Sequence, residues 1–184
     1  SFVEGLKSTV KIRDYQLDAV QHSIRHGRCI LVSPTASGKS FIIYALIRYY
    51  QQIIDNSHIL LLVPRSSLVE QMYTDFQDYG WDSEKYCHRI YAGKEKTSPK
   101  LVHISTWQSI YQLPKKHFEQ YKVILGDEVH TFTAKSLKTI MQKTTDCPYK
   151  FGLTGTLDDA ESHHLVLEGL FGSVKKVTTT KKLI

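Results

Sequence analysis

Short apolar runs rich in β-branched residues recur along the chain, and stretches of helical spacing separate them. The runs are CILV (29–32), ILLLV (59–63), HRIY (88–91), LVHI (101–104), VIL (123–125) and FGL (151–153). Most are continuous rather than alternating. A strand covered on both faces reads this way, so the pattern predicts a mainly parallel sheet between layers of helices. Between the first two runs, Phe41, Ile42, Ala45, Leu46 and Tyr49 recur at helical spacing. After the second, Leu68, Val69, Met72, Phe76 and Tyr79 form one helical stripe, and Ser67 with Glu70 fits a capping box. The expected fold class is α/β, with three layers and the sheet in the middle. Ligands in such folds sit beyond the carboxyl ends of the strands. The loops that follow the runs are therefore where chemistry is sought.

The loop after the first run is SPTASGKS (33–40). A strand before it and a helix after it are the context a phosphate-binding loop requires. Gly38 lets the backbone turn tightly and approach an anion. The N–H groups of Pro34's successors Thr35, Ala36 and Ser37, with Gly38 and the helix N-terminus, would face the phosphates. Lys39 can reach the β- and γ-phosphates, and Ser40 can ligate Mg²⁺. The first position is Ser33, where the common pattern has glycine, and Pro34 fixes a backbone angle beside it.

The run at 123–125 leads into GDEVH (126–130). A carboxylate at Asp127 can hold Mg²⁺ opposite Ser40. A second carboxylate at Glu128 can orient and deprotonate an attacking water. A phosphate loop followed about ninety residues later by this pair is the arrangement of a nucleoside-triphosphate hydrolase. A small-molecule kinase has less use for adjacent Asp and Glu, because its acceptor is a substrate hydroxyl.

The chain's 184 residues suit one domain with a full core. The formal net charge is +6 and it is uneven. Residues 1–90 hold ten Lys/Arg against nine Asp/Glu, and residues 91–184 hold fourteen Lys against nine. A basic second half suits a polyanion as well as it suits solubility. The three cysteines and nine histidines show no metal-ligand spacing. Buried, reduced thiols are the plain expectation for a cytosolic protein. No apolar run approaches the roughly 18 residues of a membrane span, so no membrane partner is expected. The opening SFVEGLKSTV has neither an initiator Met nor the plan of a signal peptide, and the chain reads as a piece of something longer.

At this point the residues resemble a known group. Asp127, Glu128 and His130 resemble the D-E-x-H motif of superfamily 2 helicases and translocases. SPTASGKS resembles their motif I, whose first position is often not glycine. IRDYQ (12–16) resembles the element that reads adenine, VPRSSLVEQ (63–71) resembles motif Ia, ISTWQS (104–109) a further nucleic-acid motif, and GLTGT (152–156) motif III. Six motifs occur in the family's order. Within the superfamily the pattern is most similar to phage recombination helicases. The resemblance implies a RecA-like P-loop lobe that binds ATP and Mg²⁺. It also implies branch migration on DNA or RNA–DNA hybrids, in the cytoplasm (the host's, if phage-encoded).

The resemblance assigns roles by position. Gln16 would pair with adenine, its amide supplying donor and acceptor, and Arg13 would contact nucleotide or support the loop. Tyr15 would stack or simply pack. Lys39, Asp127 and Glu128 would be catalytic, with Ser40 and Asp127 on the metal. His130, Thr154 and Thr156 would couple the nucleotide to the nucleic-acid surface. Arg65, Thr106 and Gln108 would meet nucleic-acid phosphates, while Trp107 stacks on a base or, more commonly for a tryptophan, packs. Lys94, Lys96 and Lys100 form a basic loop, either solvated or on phosphate, and Lys115, Lys116 and His117 are similar. Gly126 departs from the larger apolar residue expected there, and a close backbone approach is one reason for it. Val129 fills a variable position.

The expected organisation is a lead-in at 1–11, a RecA-like lobe at 12–172 and the start of a linker at 173–184. The closing KKVTTTKKLI shows no core role. In this superfamily a second lobe in the same chain supplies arginines to the γ-phosphate. No arginine occurs after residue 160. The expectation is a complete phosphate-binding half and an incomplete catalytic site.

Overall fold

A computed structural model describes residues 12–33, 36–155 and 164–177. The elements run α1 (Asp14–His26), β1 (Arg28–Val32), α2 (Ala36–Gln51), β2 (His58–Val63), α3 (Ser66–Asp78), α4 (Ser83–Tyr86) and β3 (Cys87–Ile90). They continue with β4 (Val102–Thr106), α5 (Trp107–Ile110), α6 (Lys115–Phe118), β5 (Tyr121–Asp127), a 3₁₀ turn (Val129–Thr131), α7 (Ala134–Lys143), β6 (Tyr149–Thr154), α8 (His164–Phe171) and β7 (Val174–Lys176). Among the described residues seven strands form one sheet, in the order β3-β4-β2-β5-β6-β1-β7. Every pairing is parallel. None of the described helices is long and apolar enough to cross a membrane.

The continuous apolar runs have the expected cause. Successive strand side chains point to opposite faces. Cys29, Leu31, Ile59, Leu61 and Val63 join the core beneath α1, α2 and α3. Ile30, Leu60 and Leu62 join a second core beneath α7 and α8. With both faces covered, every position in a run has to be apolar.

The chain's order in the sheet positions the site. β5, β6 and β1 are neighbours, so three strand ends lie side by side. The Ser33 N–H donates to the Thr154 carbonyl at 2.9 Å, tying the start of the phosphate loop to the end of β6. Gly126 and Gly152 are register partners on β5 and β6. A Cβ at Gly126 would stand 2.6 Å from Val129 Cγ1, and one at Gly152 would stand 2.9 Å from the Phe171 ring. The two glycines floor a slot that the buried Phe171 of α8 and Val129 fill. Val129 is fully buried, so its position is more constrained than a variable one.

Two expectations need correction. Ser67 and Glu70 do not form a capping box, because the N-cap of α3 is Arg65 and it has no side-chain cap bond. Glu70 instead accepts from Arg89 at 2.9 Å and from the Tyr91 hydroxyl at 2.6 Å. Nor is the stretch from residue 173 simply a linker without a core role. Val174–Lys176 pairs with β1 as the edge strand, and Val177 is buried in the first core. Three residues of edge strand beside a lysine-rich stretch carry little apolar signal of their own.

Candidate nucleotide site

Gly38, Lys39 and Ser40 lie in the first turn of α2, directly after β1. Asp127 closes β5 and Glu128 follows it. Lys39 Nζ lies 3.3 Å from Asp127 Oδ1, and both side chains are almost fully buried. Burial pushes the Asp127 carboxyl above its ordinary pKa, and Lys39 beside it pulls the other way. Lys39 therefore offsets part of the cost of burying this carboxylate. The pair is the central geometric fact of the site: residues 88 positions apart in sequence (127 − 39) meet because β5 and β1 flank β6.

Tyr15 and Gln16 of α1 brace the loop. Gln16 Nε2 donates to the Gly38 carbonyl at 3.4 Å, and Gln16 Oε1 accepts from the Arg13 N–H at 2.9 Å. Arg13 is exposed and its guanidinium donates to the Tyr15 hydroxyl at 3.2 Å. A Cβ at Gly38 would come within 2.9 Å of that hydroxyl, so glycine is required for Tyr15 to approach. Tyr15 thus packs on the loop.

The oxygen donors suit a magnesium ion. Ser40 offers a hydroxyl and Asp127 a carboxylate, the hard ligands that Mg²⁺ prefers. The Ser40 hydroxyl shares a 2.5 Å hydrogen bond with Tyr79, the C-cap of α3. A cleft of about 430 Å³ separates α3 from the loop. Leu68, Gln71, Met72, Asp75 and Tyr79 line one side, and Lys39, Ser40, Asp127 and Glu128 the other.

Glu128 adopts a left-handed backbone, φ 51° and ψ 44°. This is uncommon for a residue with a side chain. Three bonds hold it there. Its N–H donates to Asp127 Oδ1 at 2.9 Å, and its carbonyl accepts from the Thr131 N–H at 2.9 Å and the Thr131 hydroxyl at 2.7 Å. Its carboxylate meets the Arg65 guanidinium at 3.4 Å. His130 Nδ1 shares a hydrogen bond with the Thr154 hydroxyl at the end of β6.

The residues read as nucleic-acid contacts are spread along the same end of the sheet. Arg65 is exposed beyond β2, and Gln108 is exposed beyond β4 with Nε2 donating to the Pro64 carbonyl at 3.1 Å. Thr106 is buried and its hydroxyl is shared with Ser109 at 2.6 Å, so it supports the turn. Trp107 is half-buried, with its ring against those of Tyr111 and Phe132. Pro34, Thr35 and Thr156, and the side chains of Ala36 and Ser37, fall outside the described residues. Sequence reasoning missed two contacts, Tyr79 with Ser40 and Arg65 with Glu128. Both join separate elements, and no spacing in the chain signals them.

Residues 9–159 match the family model described as "Type III restriction enzyme, res subunit". The chain belongs to this family. A curated relative of the chain is the ATP-dependent DNA helicase uvsW of Enterobacteria phage T4. It is 37% identical over 174 residues, covering 92% of this chain and 34% of that protein. The DNA 3'-5' translocase XPB2 of Sulfurisphaera tokodaii is 27% identical, covering 92% of this chain and 36% of its own length. The crystal structure of T4 UvsW superposes with a TM-score of 0.86 at 34% identity, over 97% of this chain and 38% of that one. The chain therefore spans about a third of the length of the curated relatives it matches. Its sheet and flanking helices are those of a RecA-like helicase lobe.

Proposed function

We propose that the chain is the first, ATP-binding motor lobe of an ATP-dependent helicase that acts on DNA or RNA–DNA hybrids in recombination, branch migration and replication-fork processing. The observation that carries this reading is the meeting of Lys39 with Asp127, at 3.3 Å, beside Glu128. A buried ammonium at the start of a helix attracts the β- and γ-phosphates of ATP. Residues 35–38, after Pro34, would wrap the phosphates with backbone N–H groups, and Gln16 with Arg13 would hold the loop and the adenine. Ser40 and Asp127 would hold Mg²⁺, which supplies charge neutralisation on the phosphates when bound. Glu128 would take the proton of the attacking water. His130 and Thr154, with Thr156, would carry the state of the nucleotide to the surface where Arg65 and Gln108 meet nucleic acid.

The similarity to a phage ATP-dependent DNA helicase supports the assignment. The share of that relative covered supports a second RecA-like lobe as partner within a longer chain, and the reading places the protein in the cytoplasm. A double-strand translocase that moves without separating strands is the second reading. The translocase relative and the restriction-subunit family favour it. Strand displacement and branch migration by the full-length protein on forked DNA decide between them. ATP-dependent release of a strand supports the helicase. Displacement of a bound third strand from intact duplex, with no separation of the fork, supports the translocase.

A further inference from the structure

Arg65 sits where two proposed functions meet. It is the N-cap of α3, with an extended backbone (φ −142°, ψ 147°) and no side-chain cap bond, so its guanidinium is not spent on the helix. That guanidinium reaches Glu128 Oε2 at 3.4 Å. The Arg65 side chain is 58% exposed and that of Glu128 28%. The backbone of Glu128 is fixed by Asp127 and Thr131. Its side-chain torsions are the remaining freedom of the group that must face water. Among the described residues Arg65 is the ion-pair partner that directs them.

We propose that Arg65 is a positioning residue that restrains Glu128 while no nucleic acid is bound and releases it when a nucleic-acid phosphate takes the guanidinium. The inference rests on the motor-lobe reading above. A phosphodiester and a carboxylate compete for the same planar donor. The exposed side of the guanidinium lets a phosphate approach without backbone rearrangement. A carboxylate oxygen paired with the guanidinium competes less well for the proton of an attacking water. Nucleic acid would thus speed hydrolysis by freeing the base, through one side chain and without a long relay.

The size of the effect is bounded. Exposed ion pairs are weak and screened by salt, and releasing one changes a rate by about two- to five-fold. The test is ATP turnover by the full-length protein, wild type against R65A and R65K, with and without saturating duplex DNA and over a range of KCl. Turnover of R65A without DNA is expected to rise about two- to five-fold, in kcat and not in KM for ATP. R65K, which keeps a point charge, falls between. Added KCl raises the DNA-free turnover of wild type and leaves R65A flat. An R65A turnover without DNA equal to or below wild type, with only a weaker grip on DNA, would overturn the inference and leave Arg65 as a phosphate contact. If wild-type turnover responds to no nucleic acid, the motor reading fails and this inference fails with it.

Discussion

Gly126 stands in an apolar strand because there is no room for anything else. A methyl group there would stand 2.6 Å from Val129 Cγ1, on a side chain whose rotamer is stiff. Gly126→Ala is expected to lose about 1–3 kcal/mol of stability, the usual range for overpacking. Urea denaturation measures it, and Val129→Ala in the same chain should recover part of the loss. At the neighbouring position the stakes are charge rather than volume. Lys39→Ala leaves the buried Asp127 without its cation and removes the contact to the phosphates. ATP affinity should fall at least about 30-fold, the low end for truncating one partner of a buried charge pair, as read by titration calorimetry. The placement of Lys39, Asp127 and Glu128 is legible in the sequence because each follows an apolar strand run, in motifs whose residue types phosphate and metal chemistry would fix. The partners of Glu128 and Ser40 are not. Arg65 and Tyr79 come from the two ends of α3, and only the packing of that helix across the cleft brings them to the site.

Among the elements, the strands that bury both faces announce themselves, since no alternation relieves the demand for apolar residues. Helix α3 is legible in its stripe, where Val69, Met72 and Phe76 are buried. Its cap is not, because Glu70 answers to Arg89 and Tyr91 on β3 and beyond, contacts that local sequence does not encode. β7 is the element that sequence patterning hides. It is short and lysine-rich, and it gains its place from backbone bonds to β1, such as Val177 N–H to the Val32 carbonyl at 2.7 Å. The reference for this element is the chain truncated after Val177. Truncating it after Gly172 removes β7, bares the edge of β1 and exposes the pocket of Val177. The expected loss is at least about 2 kcal/mol, the worth of one buried valine with its strand. Equal midpoints for the two truncations would return residues 173–177 to the role of a linker.

For the whole molecule, one buried histidine sets a pH dependence away from the nucleotide site. His103 donates from Nε2 to the Ser98 carbonyl at 2.9 Å and accepts at Nδ1 from the Tyr121 hydroxyl at 2.7 Å. Burial lowers its pKa to about 4. The unfolded chain therefore binds one more proton than the fold between about pH 4 and 6.5, and stability rises with pH across that window. The contribution is fully present above 6.5. It is lost as pH falls toward 4, on the order of 3 kcal/mol in all. His103→Gln should flatten that part of a stability–pH curve. The same scale governs activity. This chain carries Lys39, Asp127 and Glu128 but no arginine after residue 160. Without an arginine supplied from elsewhere, its ATP turnover should fall short of the full-length protein's by about 10³ to 10⁵. The α/β class, the parallel sheet and the placing of Lys39 and Asp127 after strands are thus readable from patterning and motifs, whereas the couplings between elements required the fold.

If Glu128, set beside the Lys39–Asp127 pair, is the base of a nucleic-acid-stimulated ATPase, removing its charge stops turnover and spares ATP binding. The most direct measurement is ATP turnover by full-length Glu128→Gln in the presence of saturating DNA, alongside its ATP affinity. Affinity is expected to stay within about threefold of wild type, and turnover to fall at least about 100-fold, the lower bound for losing a general base. Wild-type turnover in the Glu128→Gln protein would contradict this role for Glu128.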